Sequence, residues 1–373
     1  MKRKWLVFAL ALAAIMMVGL LSGCGNNNPS ADSPAVAPAE NAGSGGSSDE
    51  LPPLDLSKVK GAELQSFIVP SEIPINPNKG VNPKKTEYNF VYIPCLVNAY
   101  YDEVGKGVVA AVEEYASKGI TINMSWDPPT QVDPAVSAQK LQNAAATNPD
   151  CIIIECSDNA VLNPIIKEVR DAGINVLTFI QDSTENDRQG FVGIDRFDTM
   201  GYANGKIVAE ALGGQGEVAM LIGAANSPGH QDRVTGYKQA FAEYPGITIV
   251  CEYADNDDIE TGINLTEKIL SSYPNVRAIT SADGNGAGAI AKAVTDFGKA
   301  GQIAIVGYDT VPEEIFFMRE GAVLATFCND APGIGYHVTK MAIDVADGVQ
   351  TGIVREECDY YILTRDNMAD YGF

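Results

Sequence analysis

Ile154-Glu155-Cys156-Ser157-Asp158-Asn159-Ala160 and Ile279-Thr280-Ser281-Ala282-Asp283-Gly284-Asn285 are the two stretches on which the fold turns. Each leaves a short apolar run through small and polar residues and enters a segment of helical spacing, as a strand end does when a helix follows. Ala172-Gly173-Ile174 then opens a second strand that finishes at Asp182, and Ala300-Gly301-Gln302 opens one that finishes at Asp309. The aspartates are 24 residues apart in the first half and 26 in the second, which predicts a duplicated architecture. In open α/β sheets ligands bind beyond the carboxyl ends of strands, so two facing halves bring Asp158, Asp182, Asp283 and Asp309 toward one cleft.

Outward from these stretches the chain alternates short β-branched runs with helical segments. Strands are predicted at Phe90–Ile93, Ile120–Met124, Cys151–Ile154, Val176–Phe179, Val218–Ile222, Thr248–Cys251, Ala278–Thr280 and Ile303–Val306. Each is short and mostly apolar, as a strand buried on both faces is. Val161, Leu162, Ile165, Ile166 and Val169 form one helical stripe, Tyr237, Ala240, Phe241 and Tyr244 a second, and Ile334, Val338, Met341 and Val345 a third. Repeated βα units over this length predict an α/β protein of two doubly wound parallel-sheet lobes. The expected lobes are 87–182 plus 330–350 and 183–329 plus 351–373, with hinge crossings near Asp182–Thr184, Phe327–Asp330 and Gly348–Gly352.

The N-terminus carries an export signal. Lys2, Arg3 and Lys4 precede an apolar stretch from Trp5 to Leu21, short for a membrane span and typical of a signal peptide. Leu21-Ser22-Gly23-Cys24 resembles the lipobox of bacterial lipoproteins, which implies cleavage after residue 23 and a lipid anchor on Cys24. Residues 25–50 hold Asn, Ser, Gly, Pro, Ala and acids with one larger aliphatic, Val36, too little apolar surface to offset ordering, and read as a tether. The Pro-interrupted segment 51–86 reads as an extended arm.

Composition removes several function classes. With 26 Lys and Arg against 48 Asp and Glu, the net charge of −22 repels phosphate backbones, and no nucleic-acid partner is expected. Only His230 and His337 are present, which excludes most zinc-hydrolase designs, and no metal is expected. Gly284-Asn285-Gly286-Ala287-Gly288-Ala289 matches a dinucleotide fingerprint and defines the enzyme rival, an exported nicotinamide-dependent oxidoreductase. Asp283 puts a negative charge beside the would-be pyrophosphate, so the glycines read as close helix–strand packing and no cofactor is expected. Asp255-Asn256-Asp257-Asp258 lacks the glycine and distant glutamate of a calcium loop and reads as a helix cap. Six cysteines besides Cys24 sit mostly in apolar runs without a CxxC, and read as small buried residues.

Residues from about Tyr88 to Gly348 resemble the type I periplasmic sugar-binding proteins, the ribose-binding-like receptors of ABC transporters. The resemblance is carried by Asn98-Ala99-Tyr100-Tyr101, Asp158 in Ser-Asp-Asn-Ala, Asp182 after Val-Leu-Thr-Phe, Asp232-Arg233-Val234-Thr235-Gly236-Tyr237, Val306-Gly307-Tyr308-Asp309 and Ala325-Thr326-Phe327-Cys328-Asn329. The chain departs from the family pattern at Ala99, Ala282 and Asn329. The resemblance implies two lobes joined by a three-crossing hinge, a monosaccharide-like ligand between them, an ABC permease as partner, and no catalysis. The side chains suit sugar recognition. Asp158, Asp182 and Asp309 accept from hydroxyls, with Asp283 beside them and helix capping the alternative for Asp158 and Asp283; Arg233 donates as a fixed fork, Tyr100 or Tyr101 faces the C–H side of a ring, and Asn98 and Asn329 do both. The expectation is an extracytoplasmic, lipid-anchored, monomeric receptor, with a sensor for a membrane signalling partner as the alternative. A repressor of the same fold would need a helix-turn-helix where this chain has its export signal.

Overall fold

In the computed structural model the described residues are 54, 74–183, 185–194, 196–349, 353–356, 358 and 360–373. The expected export signal, Cys24 and the expected tether 25–50 lie outside them, as does most of the expected arm. Two six-stranded sheets are built from the predicted alternation. The first holds β1 (Glu87–Ile93), β2 (Thr121–Trp126), β3 (Cys151–Ile154), β4 (Val176–Ile180), β5 (Gly190–Gly193) and β11 (Val354–Glu356), in the order β11-β5-β4-β3-β1-β2. The second holds β6 (Gln215–Leu221), β7 (Gly246–Tyr253), β8 (Val276–Ser281), β9 (Ala304–Tyr308), β10 (Ala325–Asn329) and β12 (Tyr360–Thr364), in the order β12-β10-β9-β8-β6-β7. The orders superimpose strand for strand, so β3 and β4 correspond to β8 and β9. The duplication read from the two quoted stretches is therefore one of topology, and every pairing is parallel except β10 with β12.

The helices are α1 (Ala99–Ser117), α2 (Pro134–Ala146), α3 (Asn159–Asp171), α4 (Phe197–Ala211), α5 (Pro228–Ala242), α6 (Ile259–Ser272), α7 (Gly286–Asp296), α8 (Pro312–Arg319) and α9 (Ala331–Ala346). Their starts are written locally. Asn98, Asp133, Asp158, Asp258 and Asp330 each accept a backbone N–H of the first turn of the helix they cap. Pro134, Pro228 and Pro312 stand at first helical positions, where a missing N–H costs nothing. Leu162, Ile166 and Val169 are the buried face of α3, whereas Val161 of the expected stripe is exposed.

Glycines let helices touch in both lobes. A Cβ on Gly236 of α5 would stand 1.9 Å from the carbonyl oxygen of Asp198 in α4, and one on Gly201 2.0 Å from that of Arg233. In the first lobe Gly107 of α1 and Gly335 of α9 do the same against Pro332 and Val104. Thus α9 belongs to the first core, with Tyr88, Phe90 and Val104, and α4 to the second, with Val218 and Met220.

The chain crosses between sheets three times: between β5 and α4, between β10 and α9, and between β11 and β12. Two expected boundaries are corrected. The first moves past Asp182 because β5 pairs with β4; Gly190-Phe191-Val192-Gly193 is too short and glycine-rich to register as a strand. The third moves past Gly348–Gly352 because β11 pairs with β5, leaving only the segment from β12 onward to the second lobe. Of the expected arm, 74–86 lies along the first lobe: Ile75 bridges Arg355, and the Asn76 amide and Gly80 N–H donate to Asp344.

Candidate functional site

The carboxyl ends of strands from both sheets and the first turns of α1, α4 and α5 enclose a cavity of about 30 Å³. The lobes meet beside it, where the Ser227 hydroxyl of the second lobe lies 2.6 Å from Gln181 Oε1 of the first. Asn98, Tyr100, Tyr101, Glu155, Ile180 and Gln181 line it from the first lobe, with Cys95; Phe197, Gly229, His230, Arg233, Asp257, Gly284 and Asp309 line it from the second.

Arg233 is held on three sides. Its guanidinium carbon lies 3.9 Å from the Tyr308 ring centre and 4.9 Å from that of Phe197, and Nη1 donates to the Ala282 carbonyl at 3.0 Å. The group is 6% exposed and its Nε has no hydrogen-bond partner. Asp309 ends β9 in the left-handed region at φ +71°, is 9% exposed, and its Oδ1 is likewise unpartnered. Burial pushes its carboxyl up to about 6, against the pull of Arg233. The Tyr100 hydroxyl also lacks a partner, and its ring meets Tyr101 edge-on at 5.2 Å.

His230 accepts the Ala224 N–H on Nδ1 at 2.9 Å, so in the neutral ring Nε2 carries the proton. Burial, with Arg233 beside it, pushes the imidazole down to about 3, so it is neutral at ordinary pH. Glu155 is fully enclosed and accepts from the Tyr101 hydroxyl (2.8 Å), the Cys95 N–H (3.1 Å) and the Gln181 amide (2.7 Å). Burial still raises its carboxyl above the usual range. Asp257 is raised as well, by burial and then by the charge of Asp283.

Of the nine residues singled out from sequence, Asn98, Tyr100, Tyr101, Arg233 and Asp309 meet at this cavity. Four stand back from its lining. Asp158 caps α3 through the Val161 N–H at 3.1 Å, and Asp182 is tied to Arg188 and to the Thr178 hydroxyl. Asp283 accepts the Asn285 and Gly286 N–H groups at 3.0 and 2.7 Å, filling the helix N-terminus that a pyrophosphate would need. Asn329, at the second crossing, is buried with Oδ1 unpartnered. Four polar lining residues escaped the sequence reading: Glu155, Gln181, His230 and Asp257. Glu155 could have been found, since a carboxylate between Ile154 and Cys156 at a buried strand end needs donors. Gln181 and His230 carry no local signal, and Asp257 lies in the acidic run that reads as a helix cap.

Comparisons with known proteins agree with this architecture. The profile of the family described as "Periplasmic binding protein domain" matches residues 90–350. The D-ribose/D-allose-binding protein of Pseudomonas aeruginosa is 26% identical over 262 residues, 69% of this chain and 81% of that one. The ribose import binding protein of Salmonella typhimurium is 25% identical over 223 residues, 60% of this chain and 73% of the relative. Among solved structures, a glucose-galactose binding protein from Geobacillus stearothermophilus aligns with TM-score 0.71 and 28% identity, covering 76% of this chain and 99% of that one.

Proposed function

The chain belongs to the periplasmic binding protein domain family, and from that premise we propose that it is an extracytoplasmic receptor for a monosaccharide-like ligand, which it carries to an ABC permease. The observation that supports this reading is the cavity itself, where Asp309 and Arg233 of one lobe face Tyr100 and Asn98 of the other. A pyranose or furanose offers hydroxyls that both donate and accept, around apolar C–H faces. Asp309 Oδ1 accepts from a hydroxyl, Arg233 Nε and the His230 Nε2–H donate to ring or hydroxyl oxygens, and the Tyr100 ring covers a C–H face. Because the lining comes from both lobes, the ligand stabilises the closed arrangement, and motion about the three crossings is the mechanism. The lipobox-like Leu21-Ser22-Gly23-Cys24 supports an anchor on Cys24, with the residues after it as a tether. Relatives that bind ribose, allose and xylitol define the first ligands to try.

The test is a thermal-shift screen of the full chain in mild detergent against pentoses, hexoses, deoxy sugars, polyols and NAD. A ligand bound only by the native state raises the melting temperature by mass action. A selective rise with one sugar or polyol is the expected result. A rise with NAD alone would overturn the reading.

A further inference from the structure

Gln181 follows β4 in the first lobe, yet its side chain ends on a helix of the second. Its Oε1 accepts the Ser227 hydroxyl at 2.6 Å and the Gly229 N–H at 3.2 Å. Ser227 is the N-cap residue of α5, but its hydroxyl makes no capping bond to its own helix. The orphan N–H of the first turn is satisfied instead by a side chain from across the cleft. On its other side Gln181 Nε2 donates to Glu155 Oε1 at 2.7 Å, and Glu155 is fixed by Tyr101 and the Cys95 N–H. Every member of this chain of bonds is buried, where hydrogen bonds are strong and unmade ones costly.

Two further features fit the contact. Ile180, immediately before Gln181, is held at φ +64°, a left-handed conformation that a β-branched residue avoids and that persists only where the surroundings enforce it. Gly229 has no side chain where Gln181 arrives: a Cβ there would stand 2.9 Å from Gln181 Oε1.

We infer that Gln181 is an inter-lobe helix cap, a latch that holds a fraction of the receptor closed without ligand. The latch presupposes the two-lobed receptor proposed above, though no particular sugar. Its components are all protein atoms, so it acts in the empty cleft. On opening, the α5 cap and the Gln181 carbonyl oxygen exchange each other for water, which makes the latch reversible. A ligand then adds to a closed state that already exists.

The test is single-molecule energy transfer between dyes on noncanonical residues at the exposed positions 117 and 272, one in each lobe, with the full chain free of ligand. Wild type is expected to show two populations. Ser227→Ala, which leaves the cavity lining intact, should lower the closed-to-open ratio by about two- to tenfold, the effect of one hydrogen bond, and Gln181→Ala, which removes both inter-lobe bonds, by at least as much. Gly229→Ala tests the same contact by wedging rather than deletion and should also favour the open form. Unchanged ratios in all three folded variants, or a single open population in wild type, would overturn the latch. Thermal shift with sugars, run in parallel, reports on the ligand reading alone, so either idea can fail without the other.

Discussion

At the residue scale, the cleft places groups where ligand binding and stability oppose one another. Asp309 is buried beside one guanidinium with an oxygen unpartnered, and its carboxyl is raised to about 6. The native state therefore holds that proton more tightly than the unfolded chain does. Its stabilising contribution is complete below about pH 4 and is lost as pH rises through about 6. Asp309→Asn removes the ionisation and keeps a residue that tolerates the left-handed φ. We expect this variant, without ligand, to melt higher than wild type at pH 7, by up to roughly 3 kcal/mol, and to show no gain at pH 4. Its sugar affinity should fall at least tenfold; denaturation across pH and calorimetry check both. Arg233→Lys keeps the charge but loses the planar stack between Tyr308 and Phe197, and is expected to weaken ligand binding by about 1.5 to 3 kcal/mol while the variant remains folded. Asp309 was legible in the sequence because it stands at the end of a strand, whereas Arg233, inside α5, was singled out by the resemblance of Asp232–Tyr237 to a family motif. Asp158 and Asp283 were equally visible and serve as caps, since a carboxylate before a helix looks the same in sequence whether it faces a ligand or an N–H.

At the element scale, the two lobes solve one packing problem twice. Contact between α4 and α5 depends on Gly201 and Gly236, and contact between α1 and α9 on Gly107 and Gly335. Because the opposing atoms are backbone carbonyls, a methyl group cannot be absorbed by rotating a side chain. Gly236→Ala should destabilise the second lobe by about 1 to 3 kcal/mol or more, read as a lower urea midpoint. Gly298→Ala meets nothing within 4 Å, yet its φ of +69° makes it costly for backbone reasons alone, by about 1 kcal/mol. Eight strands were readable because each holds a short, mostly apolar run, although β2 and β7, at the sheet edges, are only partly buried. Four were not: β5 is two apolar residues between glycines, β11 reads Val354-Arg355-Glu356, β10 is broken by Thr326 and Asn329, and β12 follows another strand rather than a helix.

At the scale of the whole molecule, the proposed anchor and the proposed motion make separate claims. Cys24→Ala should shift the expressed protein from the membrane fraction to the soluble or unprocessed pool, with loss of radiolabelled fatty acid; retention of the label on the variant would exclude Cys24 as its site. Sugar should shift the inter-lobe distance distribution to the closed form in wild type, and less so in Asp309→Asn.

The alternation of apolar runs and helical stripes along the chain was enough to determine two α/β lobes of duplicated architecture, because helix and strand signals are local, while the strand order came from the structure. The sequence likewise carried the acidic surface and five of the residues that meet at the cleft. Only the tertiary structure decided where the chain changes lobes, since that depends on β5 and β11 finding partners far away in sequence. It alone also brought Glu155, Gln181 and Ser227 into one line of hydrogen bonds, because the identity of a buried polar partner is set by three-dimensional proximity and leaves no spacing to read.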